Sequence, residues 1–313
     1  MRAVRRDASG IVVVDRDRPE PAADEVRVRV ASAGICGSDL HAIERGPMPA
    51  VLGHEVAGIL DDGSPVAIWP ITPCGACDRC RAGEVQQCRG AQWGTYGFGR
   101  DGGMAEEMVV SPANLVALPA AVDLADACLV EPLACAVHGA RRAALAPQHR
   151  VAVVGGGTMG LALVAVARWL GCEVDLQARH PGQRQAGEQL GAGLHPSGDY
   201  DVVVDAAGTQ AATNRAVELC RPGATMLLLA TYWEGLRLDP MVFAMQEITL
   251  VPASAHGRHQ GGRDVDSAAA LLAAEPHVAG ALITHRLPLD AAAEGFRIAA
   301  DRAAGAIKVV LEP

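Results

Sequence analysis

Four cysteines crowd into fifteen positions, as Cys74-x-x-Cys77-x-x-Cys80 followed by Cys88. Four soft thiolates at short spacing suit a closed tetrahedral zinc. Gly75 and Gly83 relieve the chain where it must wrap the ion. A shell closed by four thiolates keeps no open position, so a zinc held there would be structural. Other residues able to do chemistry are dispersed. Gly34-Ile-Cys-Gly-Ser-Asp-Leu-His41 offers Cys36, Ser38 and His41; Gly53-His-Glu55 offers His54 and Glu55; Glu131-Pro-Leu-Ala offers Glu131. Spacing alone does not join these into one site. Singly, they read as a buried thiol, a loop histidine and a carboxylate at a helix entry.

A glycine turn supplies a further kind of chemistry. Val153-Val-Gly-Gly-Gly-Thr-Met-Gly160 contains G-x-G-x-x-G at Gly155, Gly157 and Gly160, with Thr158 and Met159 inside it. It follows an apolar strand and opens a helix, the context dinucleotide binding requires. Gly155 permits the tight turn, Gly157 lets backbone approach a pyrophosphate, and Gly160 lets the helix pack on the strand. The helix N-terminus presents N–H groups and a positive dipole end to the phosphates. The next strand is expected to end near Ala178. Gln177-Ala-Arg-His-Pro-Gly-Gln-Arg184 holds no carboxylate to repel a ribose phosphate, while Arg179, His180 and Arg184 are there to bind one. This points to NADP, with NAD as the other option. The alternative is that Asp175, slightly earlier, binds bare ribose hydroxyls.

Two sorts of element must position these residues. The first ~130 residues read as β-rich, with strands expected over 12–14, 25–30, 53–60, 64–69 and 104–110 and frequent Gly and Pro between them. Near Asp123 the character changes. An Ala- and Leu-rich helical stretch over 124–145 contains the break Glu131-Pro132. Strands over 150–154, 173–177, 201–205 and 225–230 then alternate with helices over 161–170, 183–190 and 213–219. That rhythm means βαβ units and a doubly wound parallel sheet. A further helix is expected over 266–274. The tail, 307–311, reads as a strand returning to the first domain.

Composition narrows the function. The chain has 313 residues, half of them apolar, enough for about two domains. No run of 18 uncharged apolar residues is present, so no membrane-spanning helix is expected. The first residues carry charge without a following apolar stretch, unlike a secretory signal. With 27 Lys+Arg against 36 Asp+Glu the net charge is −9, which opposes broad binding to nucleic acid or anionic membranes. Nine cysteines in such a chain read as metal ligands and buried thiols in a reducing compartment, hence a cytoplasmic protein.

Taken in order, the motifs resemble those of the zinc-containing medium-chain alcohol and polyol dehydrogenases, within the medium-chain dehydrogenase/reductase superfamily. They are Gly-Ile-Cys-Gly-Ser-Asp-Leu-His, Gly-His-Glu, the four-cysteine lobe, Asp101-Gly-Gly-Met-Ala-Glu106, Glu-Pro-Leu-Ala, the glycine turn, Ile283-Thr-His-Arg-Leu-Pro-Leu and Gly305-Ala-Ile-Lys-Val-Val. The resemblance implies an α/β protein: a GroES-like catalytic domain over 1–136 and 278–313, and a Rossmann domain over 137–277. It implies two zinc ions per chain, the catalytic one on Cys36 and His54 with Glu55 or Glu131 as its carboxylate ligand. An alcohol oxygen polarised by that zinc would lose its proton through Ser38 and the nicotinamide ribose to His41, then give hydride to the nicotinamide. The same resemblance has Lys308 reaching the cofactor pyrophosphate and Ala207 and Gly208 beside the adenosine half. Tyr96, Trp93 and Trp69 are candidate pocket aromatics, and His138 a packing residue. A small-molecule alcohol or carbonyl is implied as substrate, of polyol, sugar or amino-alcohol type, in a homodimer or homotetramer. The segments between His41 and His54 and from Gly58 to Cys74 are shorter than is usual in such enzymes, which weakens the substrate inference. A same-fold imine or alkene reductase competes with this reading. So does a zinc-ribbon nucleic-acid module, which the net charge disfavours.

Overall fold

The structure, a computed structural model, describes residues 1–90, 94–259 and 262–313. Its contacts divide the chain into two units. One comprises Met1–Glu131, Gly257–Ala279 and Ile283–Pro313; the other comprises Pro132–His256 and Gly280–Leu282.

In the first unit β1 (Arg2–Asp7) and β2 (Gly10–Asp15) form a hairpin. The long strand β3 (Val26–Ile35) alternates, with Val28 and Val30 buried and Arg29 outward. Period-two patterning of this kind gives a sheet one apolar face. β4 (Glu55–Leu60), β5 (Pro65–Ile68), β6 (Glu107–Val110) and β7 (Leu115–Ala117) follow. β3 pairs antiparallel with β4, and its Gly34 lies opposite Glu55. Two short helices interrupt the strands, α1 (Gly37–Glu44) and α2 (Asp78–Arg81). Val28, Val30, Val56, Ile68 and Met108 build the core.

The helix α3 (Val130–Arg142) carries the chain from one unit to the next. Its expected break is absent. Pro132 lies in the first turn, where an N–H would have no intrahelical partner anyway. The second unit is a five-stranded parallel sheet of β8 (Arg150–Val154), β9 (Glu173–Gln177), β10 (Tyr200–Asp205), β11 (Cys220–Leu228) and β12 (Thr249–Pro252), in the order β12-β11-β10-β8-β9. The helices α4 (Thr158–Trp169), α5 (Pro181–Gln189), α6 (Gln210–Leu219) and α7 (Pro240–Gln246) connect these strands. β8 reads as a continuous apolar run, as a strand covered on both faces must.

The last segments return to the first unit. β13 (Arg258–His259) and β14 (Gly262–Arg263) form a short ladder, followed by α8 (Asp264–Ala274), β15 (Ile283–Pro288), α9 (Ala292–Ala300) and β16 (Lys308–Glu312). The expected tail strand is β16. It pairs with β15 and with β3 and completes the order β15-β16-β3-β4-β5-β7, with β6 also on β3. Residues 257–277 were expected in the nucleotide domain, but their contacts lie in the first unit. There α8 packs against β7, and Arg263 Nη1 donates to the Leu115 carbonyl at 2.9 Å.

Candidate active site

The lobe of Cys74, Cys77, Cys80 and Cys88 gathers its four sulfurs within 4.8 Å of one another. Gly75 (φ +71°) and Gly83 (φ +80°) supply the left-handed turns that make this wrapping sterically cheap. Backbone N–H groups point at sulfur: Cys74 N donates to Cys88 Sγ at 3.3 Å, and Gly90 N to the same atom at 3.4 Å. Hydrogen bonds from the backbone of Arg89 and Cys80 bring the Cys77 thiol down to about 6, whereas desolvation and the neighbouring sulfurs push Cys80 up to about 12. Four crowded sulfurs cannot all ionise without a counter-charge, and a divalent cation is the group that relieves this. The donor set therefore fits zinc. Arg89 and Arg79 brace the lobe by gripping Asp78, whose carboxyl they hold well below the usual range.

A second set forms where the β3–α1 turn meets the start of β4. One atom each from Cys36, His54 and Glu55 lies within 4.8 Å of the others. Cys36 caps α1, and Asp39, in that helix's first turn, accepts the Cys36 N–H at 3.0 Å. The other Asp39 oxygen lies 3.3 Å from His54 Nδ1. Asp39 and His54 are both buried. Burial opposes protonation of His54, yet the Asp39 and Cys36 charges raise its pKa well above the ordinary imidazole range. Asp39 thus faces Nδ1, and Nε2 is the ring nitrogen left for a ligand. The Ser38 hydroxyl sits 3.5 Å from that Nε2. His41, one helical turn on, is partly exposed and 3.4 Å from Glu44. Gly34 is required by close approach, since a Cβ there would lie 2.0 Å from Glu55 Oε2. A mixed S, N and O donor set of this kind fits a zinc with a position left for substrate.

Glu131 is buried at the start of α3 and stands outside the Cys36–His54–Glu55 set. It acts on Glu55 through its charge. Burial pushes the Glu55 carboxyl up, Lys308 opposes this, and Glu131 adds to it. Lys308 corrects an expectation. Its Nζ donates to Glu55 Oε1 (2.7 Å), Glu55 Oε2 (2.6 Å) and the Ile35 carbonyl (2.9 Å). Three donors meet three acceptors, and the side chain is buried, so no proton is left for a pyrophosphate. Burial works against its charge, but Glu55 and Cys36 raise its pKa and keep it an ammonium.

In the second unit the glycines divide their tasks. Gly155 has φ +116°, and a Cβ there would meet Ala207 N at 2.9 Å. At Gly160 a Cβ would lie 1.8 Å from the Gly155 carbonyl oxygen; at Gly157 it would touch nothing within 4 Å. The room over Gly157, where α4 begins with Thr158 and Met159, fits a pyrophosphate. Asp205 holds the N–H groups of Ala207 and Gly208, both at 3.0 Å, and so shapes the loop after β10. β9 ends at Gln177, leaving Arg179 exposed and His180 at the cap of α5. Arg184 props the turn by donating to the Ala178 and Arg179 carbonyls. The alternative ribose ligand, Asp175, is half-buried and accepts the Tyr200 hydroxyl at 2.7 Å.

Asp39 and Phe98 were missed by sequence reasoning. The signal for Asp39 was its place three residues after Cys36. Phe98 carries no motif signal; its ring lies 5.0 Å from that of His54. Tyr96 and Trp69 are both buried in the first unit, and Trp93 lies outside the described residues. His138 is buried on α3 with Arg141 at 3.0 Å, as a packing residue would be.

A β-rich unit with two zinc-compatible clusters, joined to a parallel-sheet unit with a dinucleotide turn, defines a class: metal- and nicotinamide-dependent oxidoreductases. The comparisons narrow it. Residues 22–120 match the alcohol dehydrogenase GroES-like domain. L-galactonate-5-dehydrogenase of Escherichia coli (strain K12) is 32% identical over 91% of this chain and 91% of its own. Galactitol 1-phosphate 5-dehydrogenase of the same strain is 30% identical over 95% and 96%. A protein of Sinorhizobium meliloti 1021 bound to NADP superposes with a TM-score of 0.86 at 28% identity, covering 100% of this chain and 99% of the other. The chain belongs to the zinc-containing medium-chain alcohol and polyol dehydrogenases.

Proposed function

We propose that this protein interconverts the secondary alcohol of a polyol or sugar-type substrate and its ketone, with NADP as the preferred hydride carrier. The observation that carries this reading is the meeting of Cys36, His54 and Glu55 within 4.8 Å, with the Ser38 hydroxyl beside His54. Two relatives whose names specify sugar acid and polyol phosphate dehydrogenation support the substrate type. Cys36, His54 and Glu55 would hold the catalytic zinc, with Glu131 as the reserve carboxylate, and Cys74, Cys77, Cys80 and Cys88 the structural one. Bound there, zinc supplies Lewis-acid polarisation of an alcohol or carbonyl oxygen. Asp39, 3.3 Å from His54 Nδ1, would turn Nε2 toward the metal. Ser38 is placed to accept the proton of a substrate hydroxyl, and the partly exposed His41 to hand it on to water. Lys308 holds the Glu55 carboxylate in a single orientation.

For the cofactor, Gly155, Gly157, Thr158, Met159 and Gly160 would cradle the pyrophosphate, and Ala207 and Gly208 would bound the adenosine side. Arg179 and His180, on a turn with no carboxylate, would take the 2′-phosphate, with Arg184 stiffening that turn. Trp233, Met241 and Met245 are exposed on the unit whose sheet ends in the edge strand β12, which supports a homodimeric or homotetrameric state. A cytoplasmic, reducing compartment is the reading that the cysteine spacing supports, since four crowded thiols suit a metal rather than disulfides. The test is initial rates on a panel of polyols and ketoses with each cofactor. NADP is expected to give the higher kcat/KM, and Arg179→Ala to raise its KM at least tenfold while NAD moves little. Equal or better turnover with NAD by the wild type would remove the phosphate reading.

A further inference from the structure

Trp69, directly after β5, is 1% exposed, and its indole Nε1 has no hydrogen-bond partner among the described residues. A buried N–H without an acceptor is uncommon and calls for a ligand or water. Two guanidinium groups lie over the same ring, Arg258 at 5.3 Å and Arg263 at 5.9 Å from its centroid. These arginines face each other directly across the β13–β14 ladder, so like charges are placed in register, an arrangement that disfavours the pairing. Arg263 is neutralised: Asp266 takes its Nε at 2.9 Å and its Nη2 at 2.7 Å. Arg258 is exposed, and among the described residues no carboxylate pairs with it. In a chain of net charge −9 that leaves one unbalanced cation beside one unused donor.

The cluster and the Cys36–His54–Glu55 set belong to the same unit. Trp69 directly follows β5, which pairs with β4, the strand that begins at Glu55. The Pro70 carbonyl, next in the chain, accepts the Tyr96 N–H at 3.0 Å, and that segment carries Phe98 to the His54 ring.

We propose that Arg258, seated on Trp69 and joined by the indole N–H, is a subsite for an oxyanion, a carboxylate or phosphate, at the end of the substrate chain away from the reacting carbon. This deepens the dehydrogenase reading and rests on it. A guanidinium meets such a group through two parallel N–H···O bonds, the ring beneath holds it flat by cation–π attraction, and the indole donates to a remaining oxygen. A neutral polyol would leave both the charge and the donor unanswered. The substrate class is thus an aldonate or a polyol phosphate.

The test uses the zinc-loaded enzyme with a hexitol, the matching aldonate and the hexitol 1-phosphate, in wild type, Arg258→Ala and Arg258→Lys. The wild type is expected to show a KM for one anion at least tenfold below that of the hexitol; which anion it is separates carboxylate from phosphate. Arg258→Ala should raise the anion's KM at least tenfold relative to the hexitol's with kcat little changed, and Arg258→Lys should restore part of the loss. A parallel change for all three compounds would mean that Arg258 only covers Trp69, and would overturn the subsite. Calorimetric titration with the aldonate and with inorganic phosphate reads binding separately. Heat seen with either in the wild type and lost in Arg258→Ala supports the subsite; no binding of either to the wild type removes it. Failure to oxidise all three compounds would instead count against the dehydrogenase reading.

Discussion

Lys308 and Glu55 show how far one side chain's role depends on what surrounds it. Both are buried, and the ammonium spends its three protons on Glu55 and Ile35. Removing one member of a buried ion pair leaves the other uncompensated, at a cost of about 3–5 kcal/mol. Lys308→Met should therefore lower the stability of the protein by about that amount in urea titration, and the double variant Glu55→Gln/Lys308→Met should regain most of it. A loss no larger than that of a surface substitution would contradict the pairing. As a strand lysine in Ala-Ile-Lys-Val-Val, Lys308 could not be told from one reaching outward, because strand alternation gives a side chain its face but not its partner. Cys36, Ser38 and His54 were legible because each sits in a short motif. Asp39 lies inside one of those motifs and still went unread, since the residue it faces, His54 at 3.3 Å, is its neighbour only in space.

At the level of elements, the strand–glycine–helix turn was legible in detail because its requirements are local. Gly155 and Gly160 answer contacts within a few residues or across one strand neighbour, and Gly157 leaves open space. The distinction between Gly157 and Gly160 can be measured. In Gly160→Ala the new methyl meets the Gly155 carbonyl, and the protein should lose about 1–3 kcal/mol of stability, read as a lowered melting temperature. In Gly157→Ala the methyl enters open space, so melting should stay within error while NADP affinity in calorimetry falls at least tenfold. Equal effects of the two changes on both readouts would refute the division. The β-rich half was read less well. Strands such as β1 and β15 carry arginines and a histidine among their apolar residues, which blurs the alternation that marks a strand.

For the molecule as a whole, two predictions share one measurement. Native mass spectrometry of protein purified without chelator should find two zinc ions per chain and a dimeric or tetrameric mass. Cys77→Ser should lose the lobe's ion and Cys36→Ala the other, each leaving the second in place. One ion per wild-type chain would remove one of the two sites. The division into units also had to be corrected at this scale. Residues 257–277 follow the last parallel strand in sequence and read as its continuation, yet Arg263 and α8 spend their contacts on β7 in the first unit. That shift is what places Arg258 beside Trp69.

By itself the sequence determined whatever rests on short-range chemistry: the four-thiol lobe, the glycine turn, the alternation of strand and helix, and the absence of a carboxylate after β9. Spacing of a few residues limits the backbone to few conformations, so residue type decides the outcome. Tertiary structure alone decided which distant groups meet. It joined Cys36 to His54 and Glu55, gave Lys308 to Glu55, spent Asp175 on Tyr200, and set two arginines over one buried indole. Such meetings depend on sheet order and register between segments tens to hundreds of residues apart, and no local pattern encodes them.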